Sequence, residues 1–281
     1  MRIERLQPSD LDALAELEAA VLAHDGTPLK LEWAYIREQR TVASLVIRDR
    51  DSAAGRLIAY LGVYPFGGPP EAELVGMVHP GHRRHGLAGA LLEEAKHICA
   101  ARGLSHRLLV VPRAGVAAAS FIASRRVTRE HSEYSMRLTG TPVRVPEDPD
   151  TLVRDATPED RADRIRILTA GFGPPPEDML DALHPDGLRT VMIEHAGAVV
   201  GTASLRLVGD LGGIYGFAID PEHRGRGIGV DALGRFCSLL GEAGASAVRL
   251  EVAVENERAL HIYTATGFAP LSTEDYYRLE E

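Results

Sequence analysis

The chain repeats part of its own sequence at a spacing of 141 residues. Shifting the chain by that distance places identical residues on one another without a gap. These pairs are Pro80 with Pro221, His82 with His223, Arg83 with Arg224, Gly86 with Gly227, Leu92 with Leu233 and Gly103 with Gly244. A spacing this long indicates a duplicated domain, because solenoid repeats are only about 20 to 50 residues long. The repeat therefore constrains the chain to two similar halves.

A second pair of matching segments locates the start of each half. The stretch "QPSD" from Gln7 matches "TPED" from Thr157, at a spacing of 150 residues. Between the halves, residues 139–150 ("TGTPVRVPEDPD") hold three prolines and no apolar periodicity, which is typical of a linker. We therefore predict an N-terminal domain over residues 1–140, a linker over 141–150 and a C-terminal domain over 151–281.

Each half shows the same order of predicted elements. A short strand leads to a helix, which in the second half begins with Thr157 as cap and Pro158 in its first turn. Two hairpin strands follow, and a further strand enters a glycine-rich loop that opens the next helix. Another strand and a final helix complete the half. Strands interleaved with helices predict an α/β fold with a mixed sheet.

The composition excludes several classes of protein. Hydrophobic residues make up 45% of the 281 residues and charged residues 25%, as in ordinary globular proteins. No apolar run reaches the ~18–20 residues of a membrane span and no signal-peptide core is present, so we expect a cytosolic protein without a membrane partner. The net charge of −9 argues against nucleic acid as a partner. Cys99, Cys237 and eleven scattered histidines predict neither a disulfide nor a metal site.

The second glycine loop, "DPEHRGRGIG" from Asp220, has three competing interpretations. A dinucleotide-binding loop needs G-x-G-x-x-G, whereas the glycines here are Gly225, Gly227 and Gly229. A Walker loop needs Gly-Lys-Ser/Thr, and neither of the two lysines follows a glycine. The third pattern, R-x-x-G-x-G between a strand and a helix, presents free backbone N–H groups that bind a phosphate or pyrophosphate. A plain glycine-rich turn remains the alternative to all three.

Residues beyond the loop favour the third pattern. The segment "FAIDPEHRGRGIG" is followed by "VRLEVAVENERALHIYTATGF", which contains N-x-x-A-x-x-x-Y-x-x-x-G-F from Asn256 to Phe268. This combination resembles the GNAT superfamily of acyl-CoA-dependent N-acetyltransferases, strongly over residues 213–268 and more weakly over 73–127. The resemblance implies two tandem GNAT domains, similar in layout to the mycothiol synthases. Each domain is then a mixed, mostly antiparallel sheet flanked by helices, with splayed central strands.

The resemblance also implies acetyl-CoA, or another short acyl-CoA, as the acyl donor. In the family, the pantetheine arm lies between the splayed strands and the pyrophosphate lies on the glycine loop. The residues expected to contact the donor in the second half are Phe217, Ala218, Ile219, Arg224, Gly225, Arg226, Gly227, Ile228, Gly229, Asn256 and Ala259. The weaker copy offers Met77, Val78, Arg83, Arg84, His85, Gly86, Leu87 and Ala88. A solvated loop face is the alternative role for Arg224 and Arg226.

Acetyl transfer to an amine needs a base for the amine and an acid for the departing thiolate. In "RLEVAVEN", Glu251 alternates with the apolar Leu250 and Val252, so Glu251 leaves the apolar face of a predicted strand. The spacing of Glu251, Asn256 and Tyr263 resembles that of the ribosomal-protein N-terminal-alanine acetyltransferases. It implies that Glu251 is the base and Tyr263 the acid. The alternatives are a surface glutamate, a core tyrosine and an asparagine that only caps the last helix.

The chain departs from the family pattern on the strand that enters the second loop. Many members carry a carboxylate there, where this chain has Gly213 and Ile214. The base is therefore Glu251 or a group that acts through water. In the first half the three chemical groups are replaced, so we expect that half to bind acyl-CoA or to shape the cleft without fast catalysis. The replacements are Val110 for the glutamate, Gly115 for the asparagine and Ile122 for the tyrosine.

Two glutamates before the first loop, Glu71 and Glu73, are candidate bases for the N-terminal half. We favour a solvated, proline-flanked turn in "GGPPEAE" as the interpretation of both residues.

The leading hypothesis is an acetyl-CoA-dependent N-acetyltransferase that acts on a small-molecule amine or a peptide N-terminus. The alternative is a catalytically silent acyl-CoA-binding or regulatory protein. Glu177, Asp178 and Asp181 either attract a cationic amine or form the solvated start of a helix. The chain is expected to be a monomer, whose two domains imitate a dimer, or a homodimer.

Overall fold

A computed structural model describes residues 2–49, 55–66, 70–142, 147–175, 180 and 188–280. The chain forms two compact units, one made of residues 1–132 and 272–281 and the other of residues 133–271. The boundaries predicted at residues 140 and 151 do not coincide with these units. The difference arises because each unit takes its last strand from the other half of the sequence.

The first unit contains the N-terminal copy of the repeat. Its strands are β1 (Ile3–Arg5), β2 (Ala43–Arg48), β3 (Leu57–Tyr64), β4 (Glu71–Val78) and β5 (His106–Pro112), and its helices are α1 (Leu11–Asp25), α2 (Trp33–Arg37), α3 (Leu87–Ala101) and α4 (Val116–Ile122). The strands follow the order β1-β2-β3-β4-β5. Only β4 and β5 run parallel, and the other neighbours are antiparallel.

The second unit repeats this arrangement. Its strands are β7 (Thr151–Asp155), β8 (Arg189–His195), β9 (Ala198–Val208), β10 (Leu211–Ile219) and β11 (Ala247–Ala253), and its helices are α5 (Arg161–Phe172), α6 (Ile228–Glu242) and α7 (Glu257–Ala265). The strand order is β11-β10-β9-β8-β7, with β10 and β11 parallel. The predicted mixed, mostly antiparallel α/β fold is therefore confirmed in both halves.

Two long strands are exchanged between the halves of the sequence. Residues 133–139 of β6 (Val127–Thr139) pair with β11, from Glu133 opposite Ala253 to Thr139 opposite Ala247. Residues 274–278 of β12 (Ala269–Leu279) pair with β5 in the first unit. The strand next to β5 and the strand next to β11 therefore each come from the part of the sequence that the linear repeat assigns to the other half.

One face of each sheet carries the main hydrophobic core. In the second unit α6 presents an apolar stripe to this core. The stripe is Ile228, Ala232, Leu233, Phe236, Cys237 and Leu240, all buried. Burying one such large side chain is worth roughly 1.5–3 kcal/mol. Cys99 on α3 and Cys237 on α6 are both free thiols inside these cores.

The repeated "QPSD" and "TPED" segments form the same structure. Each becomes a single 3₁₀ turn with a reciprocal capping box, in which Asp10 bonds the backbone N–H of Gln7 and Asp160 bonds that of Thr157. Within the described residues, no helix combines the length and the apolarity needed to cross a membrane.

Candidate active site

The parallel strands β10 and β11 separate part-way along their length. Their backbone pairs run from Leu211 with Ala247 to Gly213 with Arg249 and then stop, although β10 continues to Ile219. An irregularity between Tyr215 and Ala218, with Gly216 at φ +55°, turns β10 away from its neighbour. The sheet therefore opens into a gap beyond Gly213 and Arg249, as splayed central strands require.

Phe217, Ala218 and Ile219 border this gap on the β10 side. Phe217 packs edge-on against Phe236, with ring centroids 5.3 Å apart. Ala218 is buried, and Ile219 packs against the core. The segment predicted to line an acyl-CoA arm therefore lies at the edge of the opening.

The glycine loop connects the end of β10 to α6. Asp220 caps the 3₁₀ turn Pro221–His223, and the Arg224 Nε–H donates to the carbonyl of Ile219 at 2.8 Å. Gly225 and Gly227 have φ of +76° and +83°, in the left-handed region that L side chains rarely adopt. These two glycines therefore adopt the backbone conformation of the turn without the strain that a side chain would add.

The loop leaves a run of backbone donors without backbone acceptors. The first helical bonds of α6 are those from Val230 and Asp231 to the carbonyl of Gly227. Among the described residues, no backbone carbonyl accepts from the N–H groups of residues 225–229. A Cβ at Gly227 meets nothing within 4 Å, so space is open beside the turn. These donors, together with the helix dipole, suit a diphosphate group.

Gly229 has a different explanation from Gly227. A Cβ placed there lies 3.6 Å from Ile262, 3.7 Å from Ile219 and 3.8 Å from Phe217, which are ordinary contact distances. The protein's own packing thus tolerates a methyl group at residue 229.

The two other predicted loop residues differ in burial. Ile228 is buried in the core, whereas Arg226 is exposed and donates to the carbonyl of Glu222 at 3.2 Å.

Glu251 and Tyr263 lie beyond the point where the strands separate, on opposite faces of the sheet. Glu251 is exposed and faces Ser135 of β6, on the side away from α6. Tyr263 on α7 is 7% exposed and belongs to the core on the α6 side, 6.1 Å from the ring of Phe268. Desolvation by burial raises the pKa of the Tyr263 hydroxyl to about 12, so it keeps its proton at neutral pH.

Asn256 caps α7. Its side-chain oxygen accepts from the N–H of Ala259 at 3.2 Å, the geometry expected of a helix N-cap. Ala259 is half-buried in the first turn of that helix. A donor-binding role for Asn256 and Ala259 remains a prediction beside this capping role.

The first unit repeats the loop with different surroundings. Arg83 Nε–H donates to the carbonyl of Val78 at 3.1 Å, which is the bond that Arg224 makes to Ile219. Its Nη atoms also bind both carboxylate oxygens of Asp25, at 2.8 and 2.6 Å. The positive charge of the Arg83 guanidinium is thus balanced by the Asp25 carboxylate of the same unit.

The other predicted residues of the first loop follow its geometry. Met77 and Val78 end β4, and Gly86 has φ +78° directly before α3 begins at Leu87. Arg84 also has a positive φ, +66°. The remaining two are His85, which is exposed, and Ala88, in the first turn of α3.

The interpretation of Glu71 and Glu73 as a solvated turn is wrong. Both lie in β4, because parallel pairing with β5 places Glu71 opposite His106 and Glu73 opposite Leu108. Glu73 is 9% exposed and lies 3.5 Å from the Lys30 ammonium.

The three candidate acids Glu177, Asp178 and Asp181 fall outside the described residues. Among the residues that the structure does describe, no group of three metal-ligating side chains occurs.

Sequence analysis missed a feature on the Glu251 face. Arg206 pairs with Gly213, Gly213 with Arg249, and Arg249 with Arg137, so three arginines and one glycine form a row across four strands. A Cβ at Gly213 would come within 2.6 Å of the Tyr215 ring, which shows that this ring lies over the glycine. The only signal in the sequence is an Arg-Leu pair in each of the three strands.

A match to a family model identifies the family of the chain. The model of the acetyltransferase (GNAT) family matches residues 11–125 and again residues 156–268. The chain belongs to the GNAT acetyltransferase family. Both halves of this GNAT protein match, so the tandem arrangement inferred from the repeat is confirmed, and the chain is an N-acetyltransferase.

Known GNAT proteins resemble the chain over its whole length. A mycothiol acetyltransferase from Nocardia farcinica is 30% identical over 302 aligned positions, covering 98% of this chain and 95% of the relative. A GCN5-related N-acetyltransferase structure from Sphaerobacter thermophilus superimposes with a TM-score of 0.80 at 19% identity, covering 99% of this chain and 94% of that one. A tandem GNAT protein from the clavulanic acid biosynthesis pathway gives 0.65 at 20% identity, with coverages of 99% and 98%. The two structures support the tandem GNAT fold.

Proposed function

We propose that the second unit carries out the acetyl transfer, at the gap between β10 and β11. One observation carries this proposal: the two strands separate directly after Gly213 and Arg249, between the unpaired amides of the glycine loop and the pair Glu251 and Tyr263. In a GNAT protein this is the arrangement that accepts an acyl donor in the sheet. An acetyl group then meets an acceptor amine that approaches from the Glu251 face.

The loop residues suit acetyl-CoA as the donor. Residues 225–229 offer amide donors that no described backbone carbonyl uses, and the open space beside Gly227 leaves room for a diphosphate. The exposed guanidiniums of Arg224 and Arg226 add positive charge at the same turn. Acetyl-CoA supplies the thioester-activated acetyl group, and the chain supplies position and proton transfer.

Glu251 is the proposed base. An alkylamine is only ~0.1% neutral at pH 7, which corresponds to about 4 kcal/mol of unfavourable deprotonation. The exposed Glu251 carboxylate takes the proton from the acceptor ammonium on the open face of the sheet. Gly213 stands where many family members carry a carboxylate, and this leaves Glu251 as the carboxylate of β11 nearest the gap.

Tyr263 is the proposed acid. Its hydroxyl remains protonated because burial raises its pKa to about 12. A phenol donates one hydrogen bond and, in the completed step, one proton to the departing thiolate sulfur. The packing of Tyr263 against the core fixes the ring so that the hydroxyl needs little reorganisation.

The first unit has a supporting role in this proposal. Its positions equivalent to Glu251 and Tyr263 are Val110 and Ile122, and neither carries a proton-transfer group. Glu73 is paired with Lys30 and Arg83 with Asp25. These contacts support a unit that maintains the fold or binds acyl-CoA without transferring the acetyl group.

The proposed acceptor is a small-molecule amine or a peptide N-terminus. The name of the Nocardia relative, mycothiol acetyltransferase, supports the small-molecule class, because the alignment with that relative covers nearly all of this chain. Direct transfer from donor to acceptor is proposed, since both reach the same gap.

Thiol release from acetyl-CoA, measured over a panel of amines, tests the proposal. Wild type should turn over at least one amine, while Glu251→Gln and Tyr263→Phe should lower kcat by ~10²-fold or more. Glu255→Gln and Tyr277→Phe are matched controls and should retain wild-type rates. Equal rates in all variants would remove the assigned roles. Acetyl-CoA binding without turnover of any amine would instead identify a silent acyl-CoA-binding protein.

A further inference from the structure

The Glu251 face of the second unit carries a row of arginines beside the proposed site. Arg206 of β9, Arg249 of β11 and Arg137 of β6 lie at one level of the sheet, with Gly213 of β10 between the first two. Cross-strand partners at one level project to the same face. The hydrophobic residues next to each arginine belong to the core on the opposite face, so the arginine side chains project away from α6.

Two of the three arginines are held against the protein surface, whereas Arg137 is exposed. Arg206 is only 6% exposed, and Arg249 is half-buried. The Nε of Arg249 is buried and has no hydrogen-bond partner among the described residues. A buried guanidinium donor of this kind is unfavourable unless something accepts its hydrogen bond. The Arg249 Nε therefore indicates a missing acceptor group.

The ring of Tyr215 lies between Arg206 and Arg249 in the row. Its ring covers Gly213, so that a Cβ there would come within 2.6 Å of both Cε2 and Oη. The side chain is nevertheless 46% exposed, which leaves one side of the ring open to a ligand. Neighbouring strands are about 4.8 Å apart, so Arg206 and Arg249 flank this ring at a Cα separation of about 10 Å.

Acidic groups also lie near the row. Asp210 lies near Arg137, whose charge contributes, after the Ser246 hydroxyl and the backbone, to a lowered pKa of that carboxyl. Glu251 pairs with Ser135 of β6, and Glu133 lies two residues before Ser135. Both glutamates are therefore on the same face of the sheet as the arginines. A cluster of three arginines is distinctive in a chain with a net charge of −9.

From this arrangement we infer that the acceptor of the proposed acetyl transfer carries an anionic group, a carboxylate or a phosphate, which Arg249 and Arg206 bind while its amine faces Glu251. The inference rests on the proposed function. Glu251 follows Arg249 by two residues on one strand face, a Cα separation of about 7 Å. The amine and the anion of the acceptor are therefore separated by only a few bonds. Arginine suits this role because its planar fork binds carboxylates and phosphates through two hydrogen bonds.

Matched pairs of amines test the inference. The pairs are L-alanine with L-alaninamide, O-phosphoethanolamine with ethanolamine, and glucosamine 6-phosphate with glucosamine. Thiol release from acetyl-CoA gives kcat/KM for both members of each pair. Wild type should prefer the anionic member of at least one pair by about tenfold or more, the effect expected of a charged hydrogen bond.

Substitutions then assign the preference to the row. Arg249→Gln should reduce the preference ratio to near one, and Arg249→Lys should restore it in part, because lysine keeps the charge without the fork. Arg206→Gln should act in the same direction. Arg189→Gln removes one positive charge of β8 that pairs with Asp155, and it should leave the ratio unchanged. Calorimetric titration with the preferred anionic amine, in the presence of CoA, should show binding by wild type and weaker binding by Arg249→Gln.

The outcomes separate the inference from the proposed function. If the amines without an anionic group are turned over at the same rates as their anionic partners, the proposed function stands and the inference is overturned. A preference that survives Arg249→Gln and Arg206→Gln would also overturn it. Turnover of no amine in any pair, although acetyl-CoA binds, would overturn both. A thermal unfolding curve for each variant shows whether a lost preference reflects a lost fold.

Discussion

Gly213 and Arg249 form the last backbone pair between the parallel strands β10 and β11. Beyond this pair the two strands diverge, and the proposed catalytic groups lie past the divergence. Gly213 also lies beneath the ring of Tyr215, where a Cβ would clash at 2.6 Å. The same position thus marks the start of the gap and shapes the arginine-bearing face of the sheet.

Replacing Gly213 by alanine should displace Tyr215. The clashing atoms are the far end of an exposed side chain, so the ring can move and the free energy of unfolding should fall by less than about 1 kcal/mol. The displaced ring should change KM for the acceptor while leaving acetyl-CoA affinity intact. Steady-state kinetics and urea unfolding measure both effects. Unchanged KM for every accepted amine would show that Tyr215 does not touch the acceptor.

Gly227→Ala should weaken acetyl-CoA binding, and Gly86→Ala provides a matched control. Both glycines precede a helix with positive φ, +83° and +78° respectively, and alanine in that conformation costs roughly 1–2 kcal/mol. Both variants should therefore lose similar stability in urea. Only Gly227→Ala should raise KM for acetyl-CoA, because the proposed chemistry lies in the second unit. Equal kinetic losses in the two variants would contradict that placement.

Tyr263→Phe should separate stability from catalysis as the pH rises. The folded-state pKa of about 12 lies above the ordinary value of 10, so the wild type loses stability as the pH rises from 10 towards 12, by about 3 kcal/mol in all. The phenylalanine variant has no group to ionise and should not show this loss. Urea unfolding at pH 8, 10 and 11 measures the difference between the two proteins.

The same variant should have a kcat lowered by ~10²-fold or more at pH 8, with its fold intact. Phenylalanine preserves the ring contact with Phe268 and removes only the hydroxyl. A wild-type kcat at pH 8 would exclude Tyr263 as the acid, whereas a loss of stability at pH 8 would make the hydroxyl structural.

Asp160→Asn should destabilise the second unit at neutral pH. The Arg154 guanidinium, helped by the N–H of Thr157, lowers the pKa of the Asp160 carboxyl from 3.8 to about 2. Because the folded protein binds this proton less tightly than the unfolded chain, the ionised carboxyl adds about 2 kcal/mol to the free energy of unfolding above pH 3.8. That contribution disappears as the pH falls towards 2. The stability gap between wild type and variant should therefore narrow between pH 5 and pH 2.

Asp10→Asn is the corresponding change in the first unit, where Arg48 replaces Arg154. A loss in the Asp160 variant that stays constant from pH 7 to pH 2 would show that the lost contact is a neutral hydrogen bond rather than an ion pair.

Much of the fold could be predicted because it depends on local sequence. The capping boxes at Asp10 and Asp160 and the turns at Gly86 and Gly227 are short-range features, and each occurs twice in the chain. A motif present in two copies is supported by both. The glycine loop and the helix that follows it accordingly occur where the sequence indicates them.

Features that depend on strand pairing could not be predicted in this way. Nothing in the sequence indicates that residues 133–139 pair with β11 rather than with a strand of their own half. Glu73 occurs in a stretch with turn-like composition, and pairing with β3 and β5 makes it part of a strand. The row of Arg206, Arg249 and Arg137 likewise exists only through the register of four strands.

The exchange of β6 and β12 has a consequence for biosynthesis. Residues 272–281 complete the unit that contains residues 1–132, so the portion made first on the ribosome lacks the strand that pairs with β5 until residues 272–281 have been made. The portion made second finds the strand that pairs with β11, residues 133–139, already outside the exit tunnel. The later half of the polypeptide can therefore mature first, and a gene cut at the repeat boundary would encode two products that each lack one strand of their unit.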